Sequence, residues 1–236
     1  MLIGLIACAP ATNRTGEAFT ASGELIAYSG GEGGAANACF RCHGLQGQGD
    51  GASSPRLAGL DAGYLQKQLD DYAGGLRDDK VMGPIAHWLD NDDRRAVAAH
   101  YAALPSPALS PSPGGAAPPG IYSSGDPGRR LPACAACHGA AGQGVGPANP
   151  ALAGQPAAYT LDQLARWARA ERRNDPQGVM TAAVAGLTEA EMRAIAAWLE
   201  RQPAAPRPDT AAASLSAAEA AWARLAASRG TRRPGR

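Results

Sequence analysis

The sequence predicts an all-α chain, with two small helical domains in tandem joined by a proline-rich linker. A set of short motifs occurs twice at a constant separation of 95 residues, which indicates a duplicated domain. Within each copy the apolar residues recur at helical spacing. Between the copies lies a stretch rich in Pro, Ser, Ala and Gly, a composition typical of an extended linker.

The repeat and the changes in composition divide the chain into five predicted segments. These are a lipoprotein-like signal remnant and tether (1–22), a first domain (23–105), the linker (106–118), a second domain (119–202) and a tail rich in Pro, Ala and Arg (203–236). Domains of about 80 residues are marginally stable without a cross-link or cofactor. Because aromatic residues make up only 5% of the chain, each predicted domain would gain from an apolar cofactor in its core.

Capping and breaking residues place the helices of the first copy. A short helix is predicted over 24–28, where several glycines end it. Asp61 precedes a second predicted helix that ends at Gly74. The segment 82–84, Met-Gly-Pro, is predicted to be a loop, and Asp90 is predicted to cap the closing helix.

The second copy repeats these elements. Tyr64, Gln68, Leu69 and Tyr72 correspond at an offset of 95 to Tyr159, Gln163, Leu164 and Trp167. After a three-residue insertion the offset becomes 98, and it then relates Met82 to Met180. The tail is predicted to contain one short helix, over 217–227.

Two pentapeptides, at 39–43 and 134–138, have the spacing C-x-x-C-H, and each is followed by Gly. This spacing is the attachment signature of a c-type haem. Residues three apart in a helical turn share a face, so both thiols can reach one porphyrin while the next residue turns its imidazole toward the iron. The sequence therefore predicts two covalently bound haem c groups. The predicted attachment residues are Cys39, Cys42, Cys134 and Cys137, and the predicted iron ligands are His43 and His138.

Other uses of these cysteines fit less well. A four-cysteine zinc site usually has its second C-x-x-C about 15–20 residues after the first, whereas 91 residues separate Cys42 from Cys134. A thioredoxin-like motif needs a preceding strand, and no β-branched run precedes either motif. Residues three apart in a helix are also poorly placed for an unstrained disulfide.

The second axial ligand of each iron is predicted to be a methionine. Met82 and Met180 occupy equivalent positions, 39 and 42 residues after the respective histidines. Thioether–imidazole ligation suits electron transfer and leaves no open position for a substrate, so no catalytic residue is predicted. Met192 lies in a helical pattern and is expected to pack in the core. His87, five residues after Met82, is interpreted as a half-exposed residue, with a rival iron ligand as the alternative. His100 is interpreted as a packing residue.

At the N-terminus, Leu5-Ile6-Ala7-Cys8 resembles the lipobox of bacterial lipoproteins. It predicts a lipid anchor at Cys8, and a non-lipidated secretory remnant is the alternative. No run in this apolar opening is long enough to span a bilayer. The motifs resemble those of bacterial proteins that receive covalent c-type haem in the periplasm, so we expect the protein in the periplasm.

Together the repeated motifs resemble tandem di-haem class I c-type cytochromes of the cytochrome c-four type. The matching parts are C-x-x-C-H-G, Leu-Ala-Gly, Tyr-x-x-x-Gln-Leu, the methionine segment and a closing helix, each occurring twice within 23–202. The resemblance implies two small all-helical domains with one haem each. It also implies a periplasmic, respiratory-chain role in which single electrons pass to a terminal oxidase or similar acceptor.

Charge narrows the range of partners. The net charge is +1, so nucleic acid is not an expected partner. The resemblance implies redox proteins of the membrane respiratory complexes as electron donor and acceptor. Residues 23–105 hold 7 basic and 11 acidic side chains, against 8 and 7 in 119–202. This asymmetry is consistent with one domain receiving electrons and the other delivering them. Two alternatives stay open: a cytochrome subunit of a dehydrogenase or oxidase complex, and a haem enzyme or gas sensor.

The lipobox resemblance predicts that the native protein fractionates with membranes. Replacing Cys8 by Ser removes the acylation site, so Cys8→Ser should move the protein to the soluble fraction. Fractionation followed by mass spectrometry of the N-terminal peptide measures both effects. Equal solubility of the two forms would contradict lipidation.

Overall fold

The computed structural model describes residues 22–106 and 116–204. The lipobox, most of the predicted linker and the predicted tail helix lie outside these residues. No β-strand occurs in the described part, which has only two isolated bridges. None of its helices is long and apolar enough to cross a membrane. The predicted all-α fold class is confirmed.

Five helices form each copy. In the first copy they are α1 (Gly23–Ser29), α2 (Phe40–His43), α3 (Ala62–Ala73), α4 (Met82–Trp88) and α5 (Asn91–Ala103). In the second copy they are α6 (Gly120–Ser123), α7 (Ala135–His138), α8 (Ala157–Ala168), α9 (Val179–Val184) and α10 (Glu189–Glu200). Short 3₁₀ turns at Gly31–Gly33, Ala35–Asn37, Pro127–Arg129 and Pro176–Gly178 connect some of them.

Local capping explains where α3 and α5 begin and where α1 ends. Asp61 Oδ1 accepts hydrogen bonds from the N–H groups of Gly63 (2.8 Å) and Tyr64 (3.2 Å) at the start of α3. Asp90 does the same for the second and third residues of α5, both at 2.8 Å. Helix α1 ends at Gly30, whose φ of 81° is a conformation that favours glycine. These predicted boundaries are confirmed.

The predicted loop at 82–84 is wrong, because Met82 is the first residue of α4. Asp79 Oδ1 accepts hydrogen bonds from the N–H groups of Val81 and Met82, both at 2.9 Å, and so stabilises the start of the helix. Pro84 falls in the first turn, where its missing N–H costs no helical hydrogen bond. Met180 is likewise helical, in α9.

Each copy has its own apolar core. The first forms where α1, α3 and α5 pack together, and its buried side chains include Ile26, Leu65, Val97 and Tyr101. The second is built from Tyr122, Ile195, Trp198 and Leu199. Met192 is also buried in α10, so the expectation that it packs in the core is confirmed.

Two arginines and two glutamines join the copies in a crossed arrangement, here called the Arg–Gln cross. Arg77 donates to Gln68 Oε1 in its own copy and to Gln163 Oε1 in the other, both at 2.8 Å. Arg172 donates to Gln163 Oε1 at 2.7 Å and to Gln68 Oε1 at 2.9 Å. The arginines correspond at the 95-residue offset, as do the glutamines, so the duplication places the same pair on both sides of the boundary.

Aromatic rings support the Arg–Gln cross from both sides. The guanidinium carbon of Arg77 lies 4.5 Å from the centroid of Tyr72, and that of Arg172 lies 3.9 Å from the centroid of Trp167. The two rings are again equivalent residues. Such cation–π contacts are strongest where the cation is desolvated, and only 5% of Arg77 and 4% of Arg172 is exposed.

A second junction joins the copies through Arg56, which is 1% exposed. Its backbone N–H donates to Gln155 Oε1 at 3.0 Å, and Gln155 Nε2 donates to the Arg56 carbonyl at 2.8 Å. Its guanidinium donates to the carbonyl oxygens of Ala58 and Ala153. Because those two alanines correspond in the repeat, one side chain bridges the same backbone position in both copies.

The Arg–Gln cross makes a stability prediction. Gln163→Leu removes the shared acceptor of two buried guanidinium groups, so we expect the free energy of unfolding to fall by about 3 kcal/mol. Chemical denaturation of the haem-loaded protein, followed by far-UV circular dichroism, measures this. Gln46→Leu replaces an exposed glutamine and is the matched control. Equal transition midpoints for the two variants would contradict the role of the cross.

Candidate haem-binding sites

Both C-x-x-C-H motifs form one helical turn. Cys39 and Cys134 are the residues that precede α2 and α7, and the histidines end those helices. The first cysteine of each pair is half-buried and the second is exposed, with all four thiols free. The turn predicted from the spacing is thus present in both copies.

The glycine after each histidine has a local structural reason. Gly44 has a φ of 79°, and a Cβ there would lie 2.4 Å from the Gln48 side chain. Gly139 has a φ of 82° and the same relation to Gln143. Any other residue would be strained at this φ, and its Cβ would require the glutamine side chain to move. The backbone conformation therefore explains why glycine follows each histidine.

The two histidines are held in the same way. Each is 7% exposed. Nδ1 of His43 lies 2.9 Å from the Pro55 carbonyl oxygen, and Nδ1 of His138 lies 2.9 Å from that of Pro150. A carbonyl only accepts, so Nδ1 carries the hydrogen and Nε2 keeps its lone pair for a metal.

Burial supports the same protonation state. Desolvation lowers the pKa of His43 and of His138, although the carbonyl hydrogen bond acts in the opposite direction. A lower pKa keeps the imidazole neutral to more acidic pH, and a neutral imidazole is the form that binds a metal. Burial also raises the pKa of the Cys39 and Cys134 thiols, so both stay protonated at neutral pH.

Buried donors without partners fit a haem. In the described part of the chain, Arg56 Nε and Trp167 Nε1 are buried and have no hydrogen-bond partner. Desolvation lowers the pKa of Arg56 to about 10. No carboxylate in the described residues forms a salt bridge with Arg56, Arg77 or Arg172. Buried cations need compensating negative charge, and each haem brings two propionates.

The sequence interpretation missed these three arginines. One signal could have found two of them: Arg77 and Arg172 recur at the 95-residue offset that relates the haem motifs. The third, Arg56, has Ala151 at its equivalent position, so the repeat does not single it out.

The predicted methionine ligands lie at equivalent places. Met82 begins α4 and Met180 is the second residue of α9, and both are half-buried. His87 is exposed. His100 packs with its ring centroid 5.1 Å from that of Tyr101, as the interpretation of a packing residue expects.

Comparison with known proteins agrees with this arrangement. The model of the Cytochrome c family matches residues 30–104 and 126–203. The "Thiosulfate dehydrogenase electron acceptor" of Stutzerimonas stutzeri is 41% identical over 187 residues, which cover 77% of this chain and 87% of that protein.

Two solved structures resemble the fold. Thiosulfate dehydrogenase (TsdBA) from Marichromatium purpuratum is 40% identical with a TM-score of 0.68, and the match covers 80% of this chain and 41% of that longer chain. The cytochrome c4 of Acidithiobacillus ferrooxidans is 32% identical with a TM-score of 0.61, covering 69% of this chain and 98% of that one.

The two family matches coincide with the two motif-bearing copies, and each copy presents the same buried histidine and free cysteines. The chain therefore belongs to the cytochrome c family and is a di-haem electron carrier, with two cytochrome c domains in tandem and covalently bound haem c.

Proposed function

We propose that this chain accepts electrons from a thiosulfate-oxidising dehydrogenase in the periplasm. The observation that carries this proposal is the 41% identity to a thiosulfate dehydrogenase electron acceptor over 87% of that protein's length. The match to part of a longer thiosulfate dehydrogenase chain also supports it. The proposal favours the complex-subunit alternative, whereas delivery to a terminal oxidase stays a prediction for the onward step.

The haem iron supplies one-electron chemistry when the cofactor is bound. The proposed attachment residues are Cys39, Cys42, Cys134 and Cys137. The proposed ligands are His43 with Met82 in the first domain and His138 with Met180 in the second. Two one-electron centres in one chain would let it accept two electrons from the partner enzyme.

The protein's own residues would orient these centres. The carbonyls of Pro55 and Pro150 hold the imidazoles through Nδ1, and so leave Nε2 of His43 and His138 available to bind iron. The thioethers of Met82 and Met180 would raise the reduction potential and leave no site for substrate. The arrangement thus supports electron transfer by this chain, with the oxidation of thiosulfate on the partner.

Reduction by thiosulfate tests the proposed partner. The oxidised, haem-loaded protein should be reduced when thiosulfate and a thiosulfate dehydrogenase are both present, because the enzyme releases electrons that both haems can accept. Stopped-flow absorption of the haem bands measures the rate. Thiosulfate alone is the control and should give no comparable reduction, and the absence of reduction with enzyme would contradict the proposal.

The methionine ligands make a spectroscopic prediction. Met82→Ala should open the first iron to carbon monoxide and lower that haem's potential, because the thioether is lost. Met180→Ala should do the same for the second haem. Absorption spectra with carbon monoxide and a redox titration measure these effects. Met192→Ala is the control and should leave both haems unchanged; carbon monoxide binding to the unaltered reduced protein would contradict the assignment.

A further inference from the structure

The first domain has an exposed tryptophan at the corner between α4 and α5. Trp88 is the last residue of α4 and is 55% exposed. A Cβ on Gly33 would lie 3.4 Å from the Trp88 Cβ, so the base of the side chain packs on the 3₁₀ turn. The next residue, Leu89, is buried in the core. The backbone of this corner is therefore anchored while the indole stays at the surface.

Four carboxylates belong to the two segments that flank this tryptophan, the Gly31–Gly33 turn and the start of α5, and we call the group the Trp88 corner. It consists of Trp88, Glu32, Asp90, Asp92 and Asp93. Burial raises the pKa of Asp93, and the neighbouring charges of Asp90, Glu32 and Asp92 raise it further. Arg95 pairs with Asp92 at 2.8 Å, but both side chains are largely exposed, so this pair compensates little of the negative charge.

The second domain fills its equivalent corner with its own chain. At the 98-residue offset, Trp88 is replaced by Gly186, and Leu131 packs against that glycine, 3.1 Å from where a Cβ would lie. Arg129 donates to Glu191 at 2.6 and 3.1 Å and to the Gly186 carbonyl at 3.3 Å.

The pKa of the equivalent acid is shifted in opposite directions in the two corners, upward for Asp93 and downward for Glu191. Glu191 stands at the position of Asp93, but hydrogen bonds from Arg129 lower its pKa to about 2. In the second domain, Arg129 therefore pairs with Glu191 and Leu131 packs against Gly186, so residues of the same chain cover the corner.

In the described part of the first domain, Arg94 donates to the carbonyls of Ala86 and Leu89 but pairs with Asp70 rather than with an acid of the corner. The indole and three of the four acids are exposed.

We propose that the Trp88 corner is the docking site for a loop of the electron-donating dehydrogenase, one that presents an arginine beside an apolar side chain. The proposal rests on the proposed function. Arg129 and Leu131 show which chemistry this corner of the fold accepts. An indole face attracts a guanidinium group, and tryptophan is a frequent anchor of protein interfaces.

Two further observations favour the first domain as the docking domain. Among residues 22–106 and 116–204, five of the seven exposed large hydrophobic residues lie in it: Tyr28, Leu45, Leu76, Val81 and Trp88. It also holds 11 acidic against 7 basic side chains, which complements a cationic loop. The corner is close to the proposed iron ligand, because α4 runs from Met82 to Trp88, a length of about 10 Å.

Reduction kinetics test the docking site. With a thiosulfate dehydrogenase and thiosulfate as the reductant, Trp88→Ala should lower the second-order rate constant about tenfold. Asp92→Asn combined with Asp93→Asn should lower it and weaken its dependence on ionic strength. Reduction by dithionite and both haem potentials should stay at wild-type values, because neither depends on docking.

Matched controls come from the second domain. Val145→Ala removes an exposed apolar side chain, and Glu189→Gln removes an exposed acid that pairs with an arginine as Asp92 does; both should react at the wild-type rate. Wild-type rate constants for the Trp88 and Asp variants would overturn the docking site. So would a dimer that only Trp88→Ala dissociates, since it would assign the corner to a second copy. A wild-type protein that the dehydrogenase does not reduce would instead refute the proposed function and the occupant named here.

Discussion

The hydrogen bond between each buried histidine Nδ1 and a proline carbonyl oxygen organises the two domains. It joins the helical turn that carries the cysteines to a loop 12 residues further along the chain. It also selects the tautomer that leaves Nε2 available, and burial keeps the ring neutral. A small domain with few aromatic residues gains from a cofactor in its core, so the orientation of these proposed iron ligands would serve both folding and redox chemistry.

At the boundary between the copies, equivalent residues of the two domains contact each other. Arg77 and Arg172 each donate to both Gln68 and Gln163, so equivalent residues from the duplicated sequence meet across the boundary. These guanidinium groups are buried against neutral partners and aromatic faces. Because uncompensated buried charge is unfavourable, these hydrogen bonds and ring contacts are the interactions that stabilise the arginines in the described part of the boundary.

Duplication has preserved the haem turns while the surface corners have diverged. The second domain closes its corner with Arg129 against Glu191, whereas the first leaves Trp88 exposed among carboxylates. The fold tolerates this difference because the corner lies outside both cores. Two domains with the same redox centre can therefore present different surfaces to their partners.

The sequence by itself determined the features that depend on neighbouring residues. The haem turns, the caps at Asp61 and Asp90 and the duplicated helices are local patterns, so spacing and residue type were sufficient to predict them. It did not reveal that 82–84 is helical, since the cap comes from Asp79 and a Gly-Pro pair usually marks a turn. Only the tertiary structure decided the Arg–Gln cross, the bridge made by Arg56 and the exposure of Trp88. Those features depend on residues far apart in the chain, such as Gln68 and Arg172, whose meeting no local pattern encodes.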